Sequence, residues 1–199
     1  MIAMIDYGAG NIRSVAKAFE TLGAQIKVTQ DPDDLAKADK IVLPGVGAFG
    51  KAAEALHEKG LLEPIHEEVA KGKPFFGICI GLHLLFEDGE EDPGYQGIGL
   101  LKGHVPRFRV SLKVPHLGWN QVTQVQDSPL WKGIPDGSFF YFAHSYYIQP
   151  ETDEIAIGKT DYEIDVLSAI QRDNVFGIQF HPEKSHKWGL KVLENYIKL

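Results

Sequence analysis

The sequence is poor in cysteine, with a single one among 199 residues, and this scarcity limits what the protein can be. One cysteine excludes an internal disulfide, and the absence of paired Cys spacings disfavours a structural zinc site. No segment approaches the roughly 18 continuous apolar residues of a membrane-spanning helix. The apolar run at the start meets Asp6 too early for a signal peptide, so we expect no membrane association and a cytoplasmic location.

Positive charge is also in short supply. The chain carries 20 Lys and Arg against 27 Asp and Glu, for a formal net charge of -7. This balance argues against a general nucleic-acid or anionic-membrane surface. The length and the 44% apolar content suit one well-buried core, so we expect residues 1–199 to form a single domain. The acidic stretch 87–97 is interpreted as a solvated loop rather than a metal site.

The first half alternates between short apolar strands and amphipathic helices, whereas the second half is richer in strands. Strands are predicted at 2–6, 25–29, 40–43 and 74–78, with helices after Asn11 as N-cap and over 49–71, broken near Gly60. From residue 98 short strands follow one another until a closing helix. We therefore expect an α/β fold: a doubly wound, mostly parallel sheet with helices on both faces, extended by antiparallel strands in the C-terminal half.

The lone cysteine, Cys79, lies between two glycines in the segment Gly-Ile-Cys-Ile-Gly at 77–81. A strand is predicted before it and a helix over 82–86, which places Cys79 at the turn. Such an elbow needs small flanking residues because the backbone comes close while the central side chain is raised above the sheet. Free N–H groups at a helix start favour the reactive thiolate. The alternative is a small buried apolar residue, as most free cysteines are.

A base for this nucleophile is offered by the segment Gln-Phe-His-Pro-Glu-Lys-Ser at 179–185. It follows a predicted strand, which Pro182 should end because proline has no N–H for the ladder. Glu183, two residues along extended backbone, would return to the same face as His181. Cys79, His181 and Glu183 then fit the roles of nucleophile, base and orienting carboxylate. A chance His-Pro-Glu at a strand exit is the alternative.

Residues 45–50 read Gly-Val-Gly-Ala-Phe-Gly, which satisfies the G-x-G-x-x-G pattern of dinucleotide sites. A nucleotide cofactor is disfavoured because the pattern follows the third strand and because Pro44 removes a backbone donor beside it. The same glycines suit an oxyanion hole, where backbone N–H groups face the charge of an acyl-transfer intermediate. Ile80 would supply one N–H, and Val46 or Gly47 the other.

Together these segments resemble the class I (triad) glutamine amidotransferases. Further motifs narrow the resemblance to the glutaminase subunits of imidazole glycerol phosphate synthases. The motifs are IDYGAGN at 5–11, PGVGAFG at 44–50, VPHLGWN at 114–120, YFAHSYY at 141–147 and QFHPEKS at 179–185. They cover the chain from end to end, and PHLGWN and HSYY are the more discriminating.

The resemblance implies hydrolysis of glutamine to glutamate and ammonia, with Cys79 as nucleophile, His181 as base and then acid, and Glu183 as orienter. It implies no metal or organic cofactor. A separate cyclase subunit would form a heterodimer with the chain and use the ammonia in histidine biosynthesis. The residues assigned to the oxyanion hole and glutamine site are Gly45, Val46, Gly47, Ile80, His83, Ser145 and Tyr146. The residues assigned to the cyclase-facing surface are Asn11, Arg13, His116, Trp119, Asn120, Tyr146 and Lys184.

His83 departs from the family, whose members often carry glutamine there. Its imidazole would either donate a hydrogen bond to the substrate or serve in packing. The length of the chain also favours a partner subunit. A glutaminase domain of this type occupies nearly all of the sequence, so we expect the domain that consumes ammonia to lie on another polypeptide. Three alternatives stay open: a glutaminase serving another synthase, such as that of pyridoxal phosphate, a stand-alone cysteine hydrolase, and a non-catalytic regulatory module.

Overall fold

The computed structural model describes residues 1–8 and 10–199, and a nine-stranded sheet lies at its centre. The strands in chain order are β1 (Ile2–Ile5), β2 (Ile26–Thr29), β3 (Lys40–Leu43), β4 (Phe75–Ile78), β5 (Asp88–Gly89), β6 (Gly103–Val105), β7 (His116–Gln124), β8 (Ser138–His144), β9 (Gln149–Pro150), β10 (Ala156–Asp161), β11 (Asp165–Arg172) and β12 (Val175–Ile178). The large sheet has the order β2-β1-β3-β4-β12-β11-β10-β7-β8, and β5, β6 and β9 form a small second sheet.

Strand direction divides the large sheet into two halves. From β2 to β12 every neighbouring pair is parallel, and from β12 to β8 every pair is antiparallel. The last strand of the chain, β12, therefore joins the parallel half by lying against β4. The predicted fold class is confirmed.

Helices cover both faces of the sheet. They are α1 (Ile12–Thr21), α2 (Pro32–Lys37), α3 (Phe49–Glu58), α4 (Leu62–Ala70), α5 (Ile80–His83) and α6 (His186–Ile197). Apolar residues of α1 and α6 pack into one core, and those of α2, α3 and α4 pack into the other. The sequence therefore folds as two layers of helix around one sheet, which buries both faces of the parallel strands.

The structure differs from the sequence-based expectations at three places. Helix α2 was not predicted, although Pro32 at its first turn and the capping Asp31 side chain are typical helix-start signals. The helix predicted over 82–86 is the single turn α5, which ends at His83. Asn11 precedes α1 with φ 71° and its side chain makes no capping hydrogen bond, so its predicted capping role is wrong.

Strand register brings the predicted site segments to one edge of the sheet. In the parallel pair β4–β12, Ile78 lies opposite Ile178, and in β3–β4, Leu43 lies opposite Gly77. The chain therefore leaves three neighbouring strands at the same level, where open α/β sheets hold their ligands. Among the helices of the described residues, none has the length and apolar character needed to cross a bilayer.

Candidate active site

Cys79 occupies a strained turn directly after β4. Its backbone has φ 55° and ψ -107°, a conformation that a non-glycine residue adopts only where the surrounding structure imposes it. The flanking glycines make the turn possible. A Cβ on Gly81 would lie 1.8 Å from the Leu43 carbonyl oxygen, and one on Gly77 would lie 2.5 Å from the Gly81 oxygen. The predicted elbow is therefore present, with glycine required on both sides.

One backbone donor lies free beside the cysteine. The Cys79 carbonyl accepts from the N–H groups of Leu82 and His83, which closes the first turn of α5. Within residues 1–8 and 10–199, the N–H of Ile80 has no hydrogen-bond partner. A free N–H one residue after the nucleophile is the arrangement that an oxyanion hole requires.

His181 and Glu183 lie together near Cys79, at the end of the neighbouring strand. The Nδ1 atom of His181 is 3.0 Å from Glu183 Oε1, and both side chains are almost fully buried. The backbone route differs from the prediction. His181 is extended, but Pro182–Lys184 form a 3-10 turn, so a tight turn rather than extended chain brings the carboxylate back to the imidazole.

The electrostatics favour a charged imidazolium at this position. Burial alone would lower the pKa of His181, but hydrogen bonds to Cys79 and Glu183, together with their negative charges, raise it to about 10. Burial works to raise the pKa of Glu183, and the contacts with His181 and Asn11 outweigh it, so that pKa is lowered. At neutral pH the imidazolium therefore lies between a sulfur and a carboxylate.

Asn11 supports this pair directly. Its Nδ2 atom donates to Glu183 Oε1 at 2.6 Å, and the asparagine is half-buried. It was predicted as a helix cap and as a cyclase contact, and a role beside the triad was missed. The available signal was its position just after β1, because the carboxyl ends of parallel strands share one edge of the sheet.

A cavity of about 240 Å³ opens in front of Cys79. It is lined by the predicted site residues Val46, Gly47, Cys79, Ile80, His83, Ser145 and Tyr146, and also by Glu91, Pro115, Leu117, Ala143 and His144. Gly47 has φ 129°, and in the described part of the chain the N–H groups of Val46 and Gly47 form no hydrogen bonds. The glycine loop thus forms one wall of the cavity with unpaired donors.

Glu91 belongs to the stretch that was interpreted as a solvated loop, and for this residue the interpretation is wrong. It is partly buried in the cavity wall, and its Oε2 atom accepts from the Phe49 N–H at 2.8 Å. Burial raises its pKa, against the effect of that hydrogen bond. The neighbouring Asp92 accepts from the Gly50 N–H at 2.8 Å. Two carboxylates therefore pair the first N–H groups of α3.

His83 is buried beneath the cavity. Its Nε2 atom lies 2.7 Å from Gln179 Oε1, and burial lowers its pKa to about 4 against the opposing effect of that bond. A neutral His83 therefore donates from Nε2 to Gln179, whose own Nε2 is 4.0 Å from Cys79 Sγ. Of the two roles expected for this imidazole, a hydrogen bond to the substrate or packing, its Nε2 atom serves a contact within the protein.

A chain of hydrogen bonds runs from β7 to the cavity wall. His144 Nδ1 is 2.8 Å from the Tyr146 carbonyl, His144 Nε2 is 3.0 Å from His116 Nδ1, and His116 Nε2 is 3.2 Å from Asn120 Nδ2. Burial lowers the pKa of His116 to about 4 and that of His144 well below its usual value. Both rings are therefore neutral, with one donor and one acceptor nitrogen each. Asn120 Nδ2 donates to His116 Nε2, His116 Nδ1 donates to His144 Nε2, and His144 Nδ1 donates to the Tyr146 carbonyl.

The residues predicted to face a cyclase differ in exposure, and three of them, Asn11, Asn120 and Tyr146, are half-buried. Arg13, Trp119 and Lys184 are exposed, and Trp119 stacks on His186 at 5.0 Å. His116 is only 4% exposed and packs between Tyr162 and Phe142, so the structure does not bring its side chain to that surface. Among residues 1–8 and 10–199 no three His, Cys, Asp or Glu side chains are grouped to hold a metal ion.

Comparison with known proteins agrees with this geometry. The family described as "Glutamine amidotransferase class-I" matches residues 3–199, and the chain belongs to that family. Within it the chain groups with the HisH subunits of imidazole glycerol phosphate synthase. The HisH subunit of Desulfitobacterium hafniense (strain DSM 10664 / DCB-2) is 51% identical over 100% of this chain and 94% of its own length. That of Methanocaldococcus jannaschii is 49% identical over the whole of both chains. The resemblance drawn from the motifs is confirmed.

Solved structures show the same fold at low sequence identity. The PurLQS structure from Thermotoga maritima has a TM-score of 0.80 and 21% identity, over 99% of this chain and 97% of that chain. A crystal structure titled glutamine amidotransferase has a TM-score of 0.79 and 17% identity, over 100% and 98%. At this identity the likeness supports the architecture alone.

Proposed function

We propose that the chain is a glutaminase subunit that hydrolyses the side-chain amide of glutamine and passes the ammonia to a separate cyclase subunit in histidine biosynthesis. The observation that carries the chemistry is the Cys79–His181–Glu183 constellation, whose cysteine lines a cavity with free backbone donors. The assignment to histidine biosynthesis rests on about 50% identity to HisH subunits over the full chain. We also propose that residues 1–199 act as one amidotransferase domain and that the protein is cytoplasmic.

The reaction proceeds in two halves. The Cys79 sulfur attacks the amide carbon, and the negative charge on the amide oxygen faces the N–H of Ile80 and one N–H of the 45–47 loop. The His181 imidazolium gives its proton to the amide nitrogen, the C–N bond breaks and ammonia leaves, and the glutamyl group remains on the Cys79 sulfur as a thioester. His181 then takes a proton from water, which attacks the thioester and releases glutamate. Glu183 and Asn11 hold the imidazole in place throughout.

The cavity wall offers a site for the α-ammonium group of glutamine. Glu91 is the acidic side chain among the lining residues, and it is partly shielded from water. An ammonium–carboxylate pair there is a charge-assisted hydrogen bond, which is stronger than one between neutral groups. The geometry therefore favours an amino-acid substrate over the peptide bond of a stand-alone hydrolase, whose substrate has no free ammonium at that position.

An exposed apolar ladder next to the cavity favours a partner chain. On the β7–β8 hairpin Leu117 lies opposite Ala143, Trp119 opposite Tyr141 and Gln121 opposite Phe139. Leu117, Trp119 and Phe139 are 61%, 45% and 52% exposed. Leu117 and Ala143 also line the cavity, so a cyclase docked on the ladder would lie beside the point where ammonia is released.

The experiment is to measure glutamate formation with and without the cyclase subunit and its nucleotide substrate. We expect a rate that rises strongly in the complex, and a loss of roughly 10⁴-fold or more in Cys79→Ser. Retention of activity in Cys79→Ser would contradict the mechanism. Stimulation by a pyridoxal phosphate synthase subunit in place of the cyclase would contradict the pathway.

A further inference from the structure

The side chain of Gln179 is fully buried between His83 and Cys79. Its Oε1 atom lies 2.7 Å from His83 Nε2, and its Nε2 atom lies 4.0 Å from Cys79 Sγ. Within residues 1–8 and 10–199, the sulfur is the one hydrogen-bond partner of that amide nitrogen. Buried polar groups are ordinarily paired, so the sulfur is the acceptor that the structure offers this donor.

The sulfur thus has two side-chain donors beside it. Gln179 and His181 are two residues apart on the segment that follows β12, and both contact Cys79 at the end of the neighbouring strand β4. A neutral thiol is a weak acceptor, which agrees with the long distance between the amide nitrogen and the sulfur. A thiolate carries a full charge, and hydrogen bonds to charged groups are shorter and stronger. The amide contact therefore favours the charged, reactive form of the cysteine.

His83 decides which end of the Gln179 amide faces the sulfur. Burial lowers the pKa of His83 to about 4, so its ring is neutral at pH 7, and a proton on Nε2 pairs with the amide oxygen. The amide nitrogen then points toward Cys79. The reverse orientation would place the amide oxygen beside the sulfur, and this arrangement is unfavourable once the sulfur is charged.

Building on the proposed function, we propose that Gln179 is a further catalytic residue that donates a hydrogen bond to the Cys79 thiolate, and that His83 is the positioning residue that orients its amide. The imidazole of His83 then needs no contact with glutamine. Because Gln179 is uncharged, it acts on the sulfur without changing the charge of the site. The titratable side chains that also surround the sulfur or line its cavity are Tyr7, His83, Glu91, His144, Tyr146, His181 and Glu183.

The test measures how fast iodoacetamide alkylates Cys79 as a function of pH, in the full chain without glutamine or cyclase. The chain has one cysteine, so the rate reports on that sulfur alone. The midpoint of the pH profile reports thiolate formation, whereas altered access to the sulfur changes the plateau. For Gln179→Met, which keeps the side-chain length but removes the amide, we expect the midpoint to rise by about 0.5–1 pH unit. Below the midpoint, alkylation is then roughly three- to tenfold slower.

Matched variants separate the orientation of the amide from packing. His83→Leu removes the donor to Gln179, and we expect a similar rise of the midpoint. His83→Gln keeps an amide donor and should restore the midpoint to near that of the wild type. The control is Ser168→Ala, which breaks the buried hydrogen bond between Thr160 and Ser168 and should lower Tm without moving the midpoint. In the cyclase complex, KM for glutamine in His83→Leu should stay within about twofold of the wild type.

An unchanged or lowered midpoint in Gln179→Met would overturn the inference, since the amide nitrogen would then not act on the sulfur. A large rise in KM in His83→Leu with an unmoved midpoint would also overturn it, because the ring would then bind glutamine. An inactive wild-type complex would reject the proposed function instead. In that case alkylation, which needs neither glutamine nor cyclase, still decides whether Gln179 acts on the thiolate.

Discussion

At the scale of single residues, Glu183 is organised around one oxygen. Its Oε1 atom accepts from both Asn11 and His181, whereas Oε2 is buried and unpaired among the described residues. Concentrating both donors on one oxygen fixes the direction of the carboxylate and, through it, the plane of the imidazole. The pair is thus rigid before substrate arrives, which is what an orienting group in a triad must provide.

The raised pKa of His181 predicts how stability depends on pH. Its folded pKa is about 10 against 6.5 for the free side chain, so the folded state holds the proton more tightly. The resulting stabilisation is complete below about pH 6.5 and is lost as pH rises toward 10. We expect Tm to fall across this range in the wild type and to fall less steeply in His181→Gln. Thermal melts at half-unit pH steps measure this dependence of Tm on pH. The control variant is His57→Gln, because His57 is exposed. Equal slopes in wild type and His181→Gln would contradict the assignment.

The three residues proposed as the triad could be picked out from the sequence, but the residues that support them could not. Cys79, His181 and Glu183 follow from a glycine elbow and a short His-Pro-Glu segment, both of which are local patterns. Asn11 lies 172 positions from Glu183, and His83 lies 96 from Gln179. Such contacts depend on which strands become neighbours in the sheet, so no local sequence pattern predicts them.

At the scale of elements, α3 begins where the glycine loop ends. Carboxylates from the 87–97 segment take its first free N–H groups, and this ties the end of the loop to a second stretch of chain. Sequence reasoning placed α3 and its break near Gly60 correctly, because hydrophobic periodicity is local. It missed the capping carboxylates, since they come from some forty residues away.

These two carboxylates are expected to differ in function. Glu91→Gln keeps an oxygen for the Phe49 N–H but removes the charge that faces the cavity, so KM for glutamine should rise about tenfold with little change in kcat. Asp92→Asn keeps the bond to Gly50 and does not line the cavity, and its KM should stay within about twofold. Steady-state kinetics of both variants in the cyclase complex measure the effect. Equal changes in KM would show that Glu91 acts only as a cap.

At the scale of the whole molecule, the sheet presents an exposed apolar face beside the candidate active site. The β7–β8 hairpin ends the antiparallel half, and its outward side chains include Leu117, Trp119 and Phe139. Alternating apolar and polar residues allow such strands to be predicted. Their exposure to solvent was not predictable, because exposure depends on which face of the sheet the rest of the chain leaves uncovered.

Trp119 is expected to anchor the cyclase. Large aromatic side chains carry much of the binding energy at interfaces, so Trp119→Ala should weaken binding of the cyclase subunit by about tenfold or more. The matched control is Val125→Ala, since Val125 is also exposed and lies beyond the opposite end of β7. Isothermal titration calorimetry with the purified cyclase measures both affinities. A Trp119→Ala variant that binds as tightly as wild type would move the interface elsewhere.

The place of β12 in the sheet has a consequence for synthesis. Because this strand is made almost last yet lies against β4, a growing chain on the ribosome carries its thiol long before it carries the imidazole. On the proposed mechanism such an unfinished polypeptide lacks the base His181, so we expect it to release no ammonia. On that mechanism glutamine hydrolysis begins only when translation of the chain is nearly complete.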